Sequence, residues 1–176
     1  CLKELEEGWC RSTTNLKKII ISPSNNQFIF KDDKYLLGKS DSQSDEYDIL
    51  LFANRDIDEI SIPPSVSKIC ERAFYDCNNL IKVEIPANSK LQIIGKEAFS
   101  RSKIESIFIP ASVSKICENA FSHCIDLQKV EIPENSKLQI IERYAFLYSH
   151  IEEIYFPSCL KELKEGWCRC TDYLTK

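Results

Sequence analysis

The sequence predicts an α/β repeat fold, a solenoid in which each coil adds one short parallel strand. Two observations predict it. The phrases "SVSKICERAF" at residue 65 and "NSKLQIIGKEAF" at residue 88 recur, nearly unchanged, 47 residues later. Tripeptides of the form V-x-I, each followed by proline, begin at residues 60, 83, 107, 130 and 154, so they are 23 or 24 residues apart. Self-similarity at such a period is the signature of a repeat architecture.

Each part of the repeat has an assigned place in the coil. In V-x-I the outer two side chains point inward and the middle one outward, and proline ends the strand. A period of 23–24 residues with one strand per coil fits a leucine-rich-repeat solenoid. The Ala-Phe pairs predict short helical or 3₁₀ turns on the opposite wall. The sequence predicts a stacked column formed by Phe74, Phe99, Phe121 and Phe146, with Trp9 and Trp167 in the same position.

The chain is expected to form a single domain over residues 1–176, with an insertion at about 24–53. The first V-x-I element, Ile19–Ile21, lies 41 residues before the next, which leaves about 18 residues beyond one repeat. Within them "QFIFKDDKYLLGK" predicts an antiparallel hairpin and "YDILLFA" a further strand, projecting from one coil. "CLKELEEGWC" at residue 1 returns as "CLKELKEGWC" at residue 159. This larger period of 158 residues indicates a window from a longer array.

The repeat resembles the BspA-like class of leucine-rich repeats. "SVSKICERAFYDCNNLIKVEIP", "ICENAFSHCIDLQKVEIP" and "LQIIGKEAF" carry the resemblance, and "GWC", "NSKLQII" and the inserted segment resemble the surface proteins of parasitic trichomonads. The resemblance implies a cell-surface or secreted, adhesion-type protein that contacts host cells, matrix proteins or other microbes. It supplies no catalytic motif, so we expect no enzyme activity and no cofactor.

Composition narrows the classes of partner. A net charge of −4 disfavours nucleic acid. No apolar run approaches the roughly 18 residues that span a bilayer, so we expect no direct membrane insertion by this segment. The first coil carries the apolar residues Leu2, Leu5 and Trp9 without a polar cap, whereas terminal coils of solenoids are usually capped by polar residues. We therefore expect end-to-end self-association.

Nine cysteines raise the question of metal or disulfide chemistry. Cys77 and Cys124 are two coils apart, about 10 Å at the usual strand spacing and beyond the reach of a disulfide, and Cys70 and Cys117 are spaced likewise. Most cysteines are therefore interpreted as buried apolar side chains. A zinc site at Cys159, Cys168 and Cys170 is disfavoured, because its first copy has Cys1, Cys10 and Ser12 and no fourth ligand is evident. A Cys159–Cys168 disulfide stays open.

The acidic and histidine residues give weaker signals. Asp41, Asp45, Glu46 and Asp48 lie in a polar loop whose spacing lacks the alternation and glycine of a calcium loop, so a solvated loop is favoured. His123 and His150 have no partner at a catalytic spacing and are interpreted as surface residues.

The outward face of the predicted sheet offers the best candidates for binding. Phe108 and Tyr155 stand there among charged side chains, an arrangement typical of protein-binding hot spots. The candidate binding residues are Phe108, Tyr155, Lys82, Glu84, Lys129 and Glu131. Packing between neighbouring coils, with charges present for solubility, is the alternative reading, and the inserted hairpin is an alternative binding site.

The function predicted from these features is non-enzymatic recognition of a protein or cell-surface ligand by a surface or secreted protein. Two alternatives are a structural spacer, in which the array only sets length, and an intracellular scaffold built of the same repeats.

Overall fold

Short strands that repeat once per coil build the molecule, as a computed structural model shows for residues 4–6, 8–10, 13 and 15–169. Predictions that concern Cys1, Leu2, Ser12 and Cys170 lie outside the described residues. The strands in chain order are β1 (Phe28–Lys31), β2 (Tyr35–Gly38), β3 (Ile49–Ala53), β4 (Glu59–Ser61), β5 (Lys68–Ile69), β6 (Lys82–Glu84), β7 (Ile93–Ile94), β8 (Ser106–Phe108), β9 (Lys115–Ile116), β10 (Lys129–Glu131), β11 (Ile140–Ile141), β12 (Glu153–Ile154) and β13 (Glu162–Leu163).

The predicted parallel sheet of V-x-I elements is confirmed. Its strand order is β12-β10-β8-β6-β4, and we call it the V-x-I sheet. Ile60 lies beside Val83, and Val130 lies between Ile107 and Ile154. The inward residues are buried while those between them face solvent, as the period of two requires. After each proline a turn follows, with the amide three residues later donating to the proline carbonyl, as Val66 does to Pro63 at 3.0 Å.

The prediction of one strand per coil is incomplete, because each coil also contributes to a second sheet. Its order is β1-β2-β3-β5-β7-β9-β11-β13, and the strands from β5 onward are parallel dipeptides. In each of β5, β7, β9 and β11 the second residue is a fully buried isoleucine: Ile69, Ile94, Ile116 and Ile141. A two-residue strand is too short to show alternation in the sequence, which is why only the V-x-I strand was recognised.

The predicted helical or 3₁₀ wall is wrong. No helix is found within the described residues. The Ala-Phe segments instead bond from coil to coil: the amides of Phe74, Phe99 and Phe121 donate to the carbonyls of Ala98, Ala120 and Ala145, each at 2.7 Å. Each of these coils has two residues with left-handed backbone conformation, which direct alternate amides towards the neighbouring coil. A residue in this conformation also interrupts a helix. The left-handed residues are Arg72, Asp76, Glu97, Arg101, Asn119, His123, Tyr144 and Tyr148.

The column of phenylalanines is confirmed. Phe74, Phe99, Phe121 and Phe146 are fully buried and stack with nearly parallel rings, their centroids 4.7, 5.2 and 5.1 Å apart. Offset stacking of this kind adds about 0.5–1.5 kcal/mol per pair to the free energy gained by burial. The column therefore ties each coil to the next through the centre of the core.

The tryptophans do not occupy the phenylalanine position, contrary to the prediction. Gly166 takes the left-handed conformation that precedes each alanine, with φ 70°, and the amide of Phe146 donates to the carbonyl of Trp167 at 2.7 Å. Trp167 therefore fills the alanine position. Its ring closes the column edge-on against Phe146, at a centroid distance of 6.3 Å. Trp9 packs against Phe52 instead, at 5.8 Å.

The inserted hairpin is confirmed, but its predicted projection from the solenoid is wrong. β1 and β2 pair antiparallel around a turn in which Asp32 and Asp33 have φ of 56° and 52°. β2 pairs antiparallel with β3, and β3 pairs in parallel with β5. The insertion thus extends the second sheet: β3 pairs with β5 as one coil pairs with the next, and the hairpin continues the sheet from the other edge of β3.

Ile19–Ile21 form no strand, so the prediction of a first rung there is wrong. The ammonium group of Lys34, just after the hairpin turn, donates to the Glu59 carbonyl on the edge of β4. This side chain therefore covers one carbonyl of the edge at which an earlier rung would pair. Ile20 is exposed, while Ile19 and Ile21 pack against the small cluster around Phe52.

The predicted burial of the cysteine columns is confirmed for Cys70, Cys77 and Cys124, whereas Cys117 is only partly buried. Cys77 and Cys124 are fully buried, and the Cys124 thiol donates to the Phe99 carbonyl at 3.0 Å. Burial raises the pKa of Cys77 to about 11 and that of Cys124 to about 12. No disulfide joins Cys159 to Cys168; the Cys159 thiol donates to the Ser136 carbonyl at 2.9 Å.

A first prediction concerns the phenylalanine column. Replacing Phe121 by alanine is expected to lower the free energy of unfolding by about 3–5 kcal/mol, because the cavity opens between two stacked rings. Urea unfolding followed by circular dichroism measures this. Phe108→Ala, which removes an outward-facing ring, is the matched control and is expected to lower the free energy of unfolding by less than about 2 kcal/mol. Equal losses at both positions would show that the column does not hold the coils together.

A second prediction concerns thiol reactivity. With a pKa about 3 units above pH 8, about one Cys77 thiol in a thousand is ionised, and only the thiolate reacts. We expect Cys77 and Cys124 to stay unlabelled by a thiol-specific disulfide reagent in the native chain and to label in urea, while the partly exposed Cys159 labels in both. Peptide mass spectrometry assigns the sites. Labelling of Cys124 at the rate of Cys159 would contradict its burial.

Candidate protein-binding face

The outward residues of the V-x-I sheet form two parallel columns, which we call the first and second columns. The strand register sets them side by side, with Lys129 beside Ser106 and Glu153, and Glu131 beside Phe108. The first column runs Glu59, Lys82, Ser106, Lys129, Glu153, and the second runs Ser61, Glu84, Phe108, Glu131, Tyr155. All six candidate residues therefore lie on one face, in the predicted order; their role in binding stays a prediction.

The two aromatic side chains of the second column flank a depression. Tyr155 is 52% exposed and Phe108 is half-buried. Between them Glu131 projects from β10, and Lys129 and Glu153 line the same depression, which has a volume of about 420 Å³. An exposed aromatic ring beside charged groups on a rigid sheet presents apolar area at little cost in side-chain entropy.

The charged residues of the face pair along the strands rather than between coils. The Lys129 ammonium lies 2.6 Å from a Glu131 carboxylate oxygen, and Lys82 lies 2.5 Å from Glu84. The hydrogen bond to Glu84 raises the pKa of Lys82 above its ordinary value. Exposed pairs such as Lys129–Glu131 contribute about 0–1 kcal/mol. Each pair is contained in one strand, so these two ion pairs do not join neighbouring coils, and charges present for solubility remain the alternative reading for these side chains.

A second groove, missed by the sequence reasoning, runs along the corner between proline turns and the second sheet. Its volume is about 600 Å³, and serine and glutamine side chains line most of it. Its hydroxyls are engaged in structure: Ser112 donates to the Ser89 carbonyl at 2.8 Å, and Ser114 to that of Gln92 at 3.2 Å. The signal was available in the repeated "SVSK" and "NSK" phrases. The groove is a hydrogen-bonded seam between coils.

Arg55 is another feature without a sequence signal, since it lies outside the repeat motif. Its guanidinium group is buried and donates to the Ala73 carbonyl at 2.9 Å. It also contacts the sulfur atoms of Cys77 and Cys10, at 3.6 and 3.7 Å, and covers the Phe52 ring. The arginine binds carbonyl groups of the coil that follows the insertion and so seals the junction.

The acidic loop is organised by its own hydrogen bonds. Asp48 accepts bonds from the Ser40 amide, the Ser40 hydroxyl and the Ser67 hydroxyl, at 2.8, 2.7 and 2.9 Å. Burial opposes ionisation, but these bonds outweigh it and lower the pKa of Asp48. Glu46 pairs with Lys90 at 3.0 Å.

In the part of the chain that the structure describes, no three histidine, cysteine or acidic side chains are placed to hold a metal ion.

The histidines lie outside the candidate face. His123 stacks on Tyr148 at a centroid distance of 4.8 Å. Burial and the nearby Arg101 lower the pKa of His123. His150 is exposed.

No helix among the described residues is long and apolar enough to cross a bilayer. This observation concerns only the segment described.

Solved structures with the same architecture come from bacteria. The pneumococcal vaccine antigen PcpA is 31% identical, with a TM-score of 0.58, over 61% of this chain and 26% of that one. A leucine-rich cell surface protein from Faecalibacterium prausnitzii is 17% identical, with a TM-score of 0.51, over 90% of this chain and 54% of that one. A leucine-rich-repeat protein from Eubacterium ventriosum is 18% identical, with a TM-score of 0.52, over 97% of this chain and 56% of that one. The chain thus spans between about a quarter and just over half the length of these proteins.

No curated protein matches the chain. The family model described as "BspA type Leucine rich repeat region (6 copies)" matches residues 49–171. That span covers most of the chain and coincides with the stacked coils. The chain therefore belongs to the BspA-type leucine-rich-repeat family.

Proposed function

We propose that this chain is a non-enzymatic recognition module of a cell-surface or secreted protein, and that it binds a protein or cell-surface ligand through the outward face of the V-x-I sheet. The observation that carries the proposal is the position of the exposed Tyr155 and the half-buried Phe108 on that face, on either side of β10, where both line one depression. Aromatic rings at the centre of a contact supply much of the binding free energy in protein interfaces.

The scaffold beneath the face supports the proposal. Ile107 and Val130, directly under the exposed residues, are almost fully buried, and they pack in the continuous core that includes the phenylalanine column. The backbone that carries the outward side chains is therefore held in place before a partner arrives. Little ordering entropy is then lost on binding.

Side chains that could act in catalysis are buried or packed against neighbouring residues, which supports a binding role over an enzymatic one. Cys77 and Cys124 are buried with raised pKa values, and His123 lies against Tyr148 and Arg101. The sequence has four glycines and no glycine-rich phosphate loop.

The proposed surface location is supported by the family and by the likeness to PcpA, which is described as a pneumococcal vaccine antigen. By this likeness we place the parent of the present chain at the cell surface or outside the cell. End-to-end association of chains through their terminal coils remains a separate proposal.

A third prediction tests the proposed function. Labelled chain is added to intact host and bacterial cells and to immobilised matrix proteins, and bound label is measured. The Phe108→Ala/Tyr155→Ala double variant is expected to bind at least about tenfold more weakly, because two hot-spot rings are removed. The control is Ile81→Ala/Ile125→Ala, which removes two side chains that are each 49% exposed and lie outside both columns.

Unchanged binding by the aromatic variant, with the fold intact by circular dichroism, would favour the inserted hairpin as the binding site. Binding of the unmodified chain to none of these surfaces would contradict the proposal itself.

A further inference from the structure

The sequence Lys-Val-Glu-Ile-Pro occurs twice, at residues 82–86 and 129–133, and offers a natural comparison. In both copies the lysine and glutamate pair along their strand. The two copies differ in their neighbours. Glu131 pairs in register with Phe108 and lines one depression with Tyr155, which directly follows the partner of Val130. Glu84 pairs in register with Ser61 and, by the Lys82–Ser106 register, lies beside Phe108. Glu131 is thus the carboxylate of this face with an aromatic side chain on both sides.

The spacing of the two rings suits one planar group. β8 and β12 are two strand intervals apart, which is about 10 Å at the usual spacing of about 4.8 Å. Each ring surface needs about 3.5–4 Å to its contact partner. Two such contacts take about 7–8 Å, so the interval between the strands is wide enough for one flat side chain between Phe108 and Tyr155, above the Glu131 carboxylate. The depression of about 420 Å³ measured there is the same space.

The charge at this slot is negative. Glu131 and Glu153 line it together with Lys129, so the carboxylates exceed the ammonium groups by one. Around Glu84 the lining groups are Glu59, Glu84, Lys82 and Lys34, whose formal charges cancel. Negative charge and two aromatic neighbours coincide only at Glu131 when these two depressions are compared.

We propose that the slot formed by Phe108, Glu131 and Tyr155 binds an arginine side chain of an extended partner segment. This inference rests on the proposed function and names the chemistry of the partner. The guanidinium group is planar, stacks on aromatic faces and donates two parallel hydrogen bonds to a carboxylate. Lysine presents a compact ammonium group that matches one of these features, so arginine is the preferred residue.

The existing pair of Glu131 with Lys129 does not block the slot. Both side chains are more than half exposed, and solvent screening leaves such a pair with little net stabilisation. A guanidinium group that stacks between two rings and bonds to the carboxylate replaces this contact with a stronger one. Lys129 then remains free to turn towards Glu153, its neighbour on β12.

The test uses the acetylated amide of arginine as the probe. Amide chemical shifts of the isotope-labelled full chain are followed by NMR as probe is added, with the matching amides of citrulline and lysine as controls. We expect saturable shifts at Phe108, Glu131 and Tyr155 with arginine, weaker shifts with lysine and none with citrulline, which has the same shape without the charge.

Substitutions locate the site. Glu131→Gln and Tyr155→Ala are each expected to weaken probe binding about fivefold or more, since each removes a contact of about 1 kcal/mol. Glu84→Gln, the change at the equivalent position, is expected to leave binding unchanged. Tyr155→Phe keeps the ring and is expected to bind like the unmodified chain, which guards against a folding defect in the alanine variant.

Three results would overturn the inference: shifts as large with citrulline, binding of lysine as tight as arginine, or equal weakening by Glu84→Gln and Glu131→Gln. Shifts of these same residues when the chain alone is concentrated would make a second copy the occupant and would also overturn it. Cell binding that needs Phe108 and Tyr155, without any response to the arginine probe, would leave the proposed function standing and this inference refuted.

Discussion

The structure depends on one constraint: no coil can bury its apolar side chains or satisfy its backbone without the next. Phe99 has Phe74 on one ring face and Phe121 on the other, and its amide donates to Ala120 of the following coil. Hydrophobic contact and hydrogen bonding thus act along the same axis. Because pairs of coils repeat every 47 residues, all three walls line up: the V-x-I sheet, the second sheet and the ladder of Ala-Phe segments.

This constraint also divides the sequence into fixed and variable positions. Inward positions keep the same type of residue from coil to coil, as Val83, Ile107 and Val130 show. Outward positions are released from packing, so the second column holds Ser61, Glu84, Phe108, Glu131 and Tyr155 in turn. A surface protein can alter such a face without disturbing its core. The structure therefore separates the residues that hold the molecule together from those available for recognition.

The sequence predicted those features whose side-chain pattern is long enough to read. The V-x-I strands, the phenylalanine column and both outward columns were correct because three alternating residues and a proline mark each strand. The second sheet was missed because its strands are dipeptides. The prediction of a helical wall was wrong because non-glycine residues such as Arg72 and Tyr144 take left-handed conformations, which the side-chain pattern does not indicate. The position of Glu131 beside Phe108 could be predicted from the repeat period, because the period sets the register between coils. The ion pair of Lys129 with Glu131 could not, because it depends on side-chain conformation.

The central claim is that residues 23 or 24 positions apart lie side by side in one parallel sheet. Methyl-labelled isoleucine and valine side chains allow a direct measurement by nuclear Overhauser contacts. The account predicts contacts of Val130 with both Ile107 and Ile154, and of Val83 with Ile60. A folded chain in which these methyl groups contact only residues of their own repeat would contradict it.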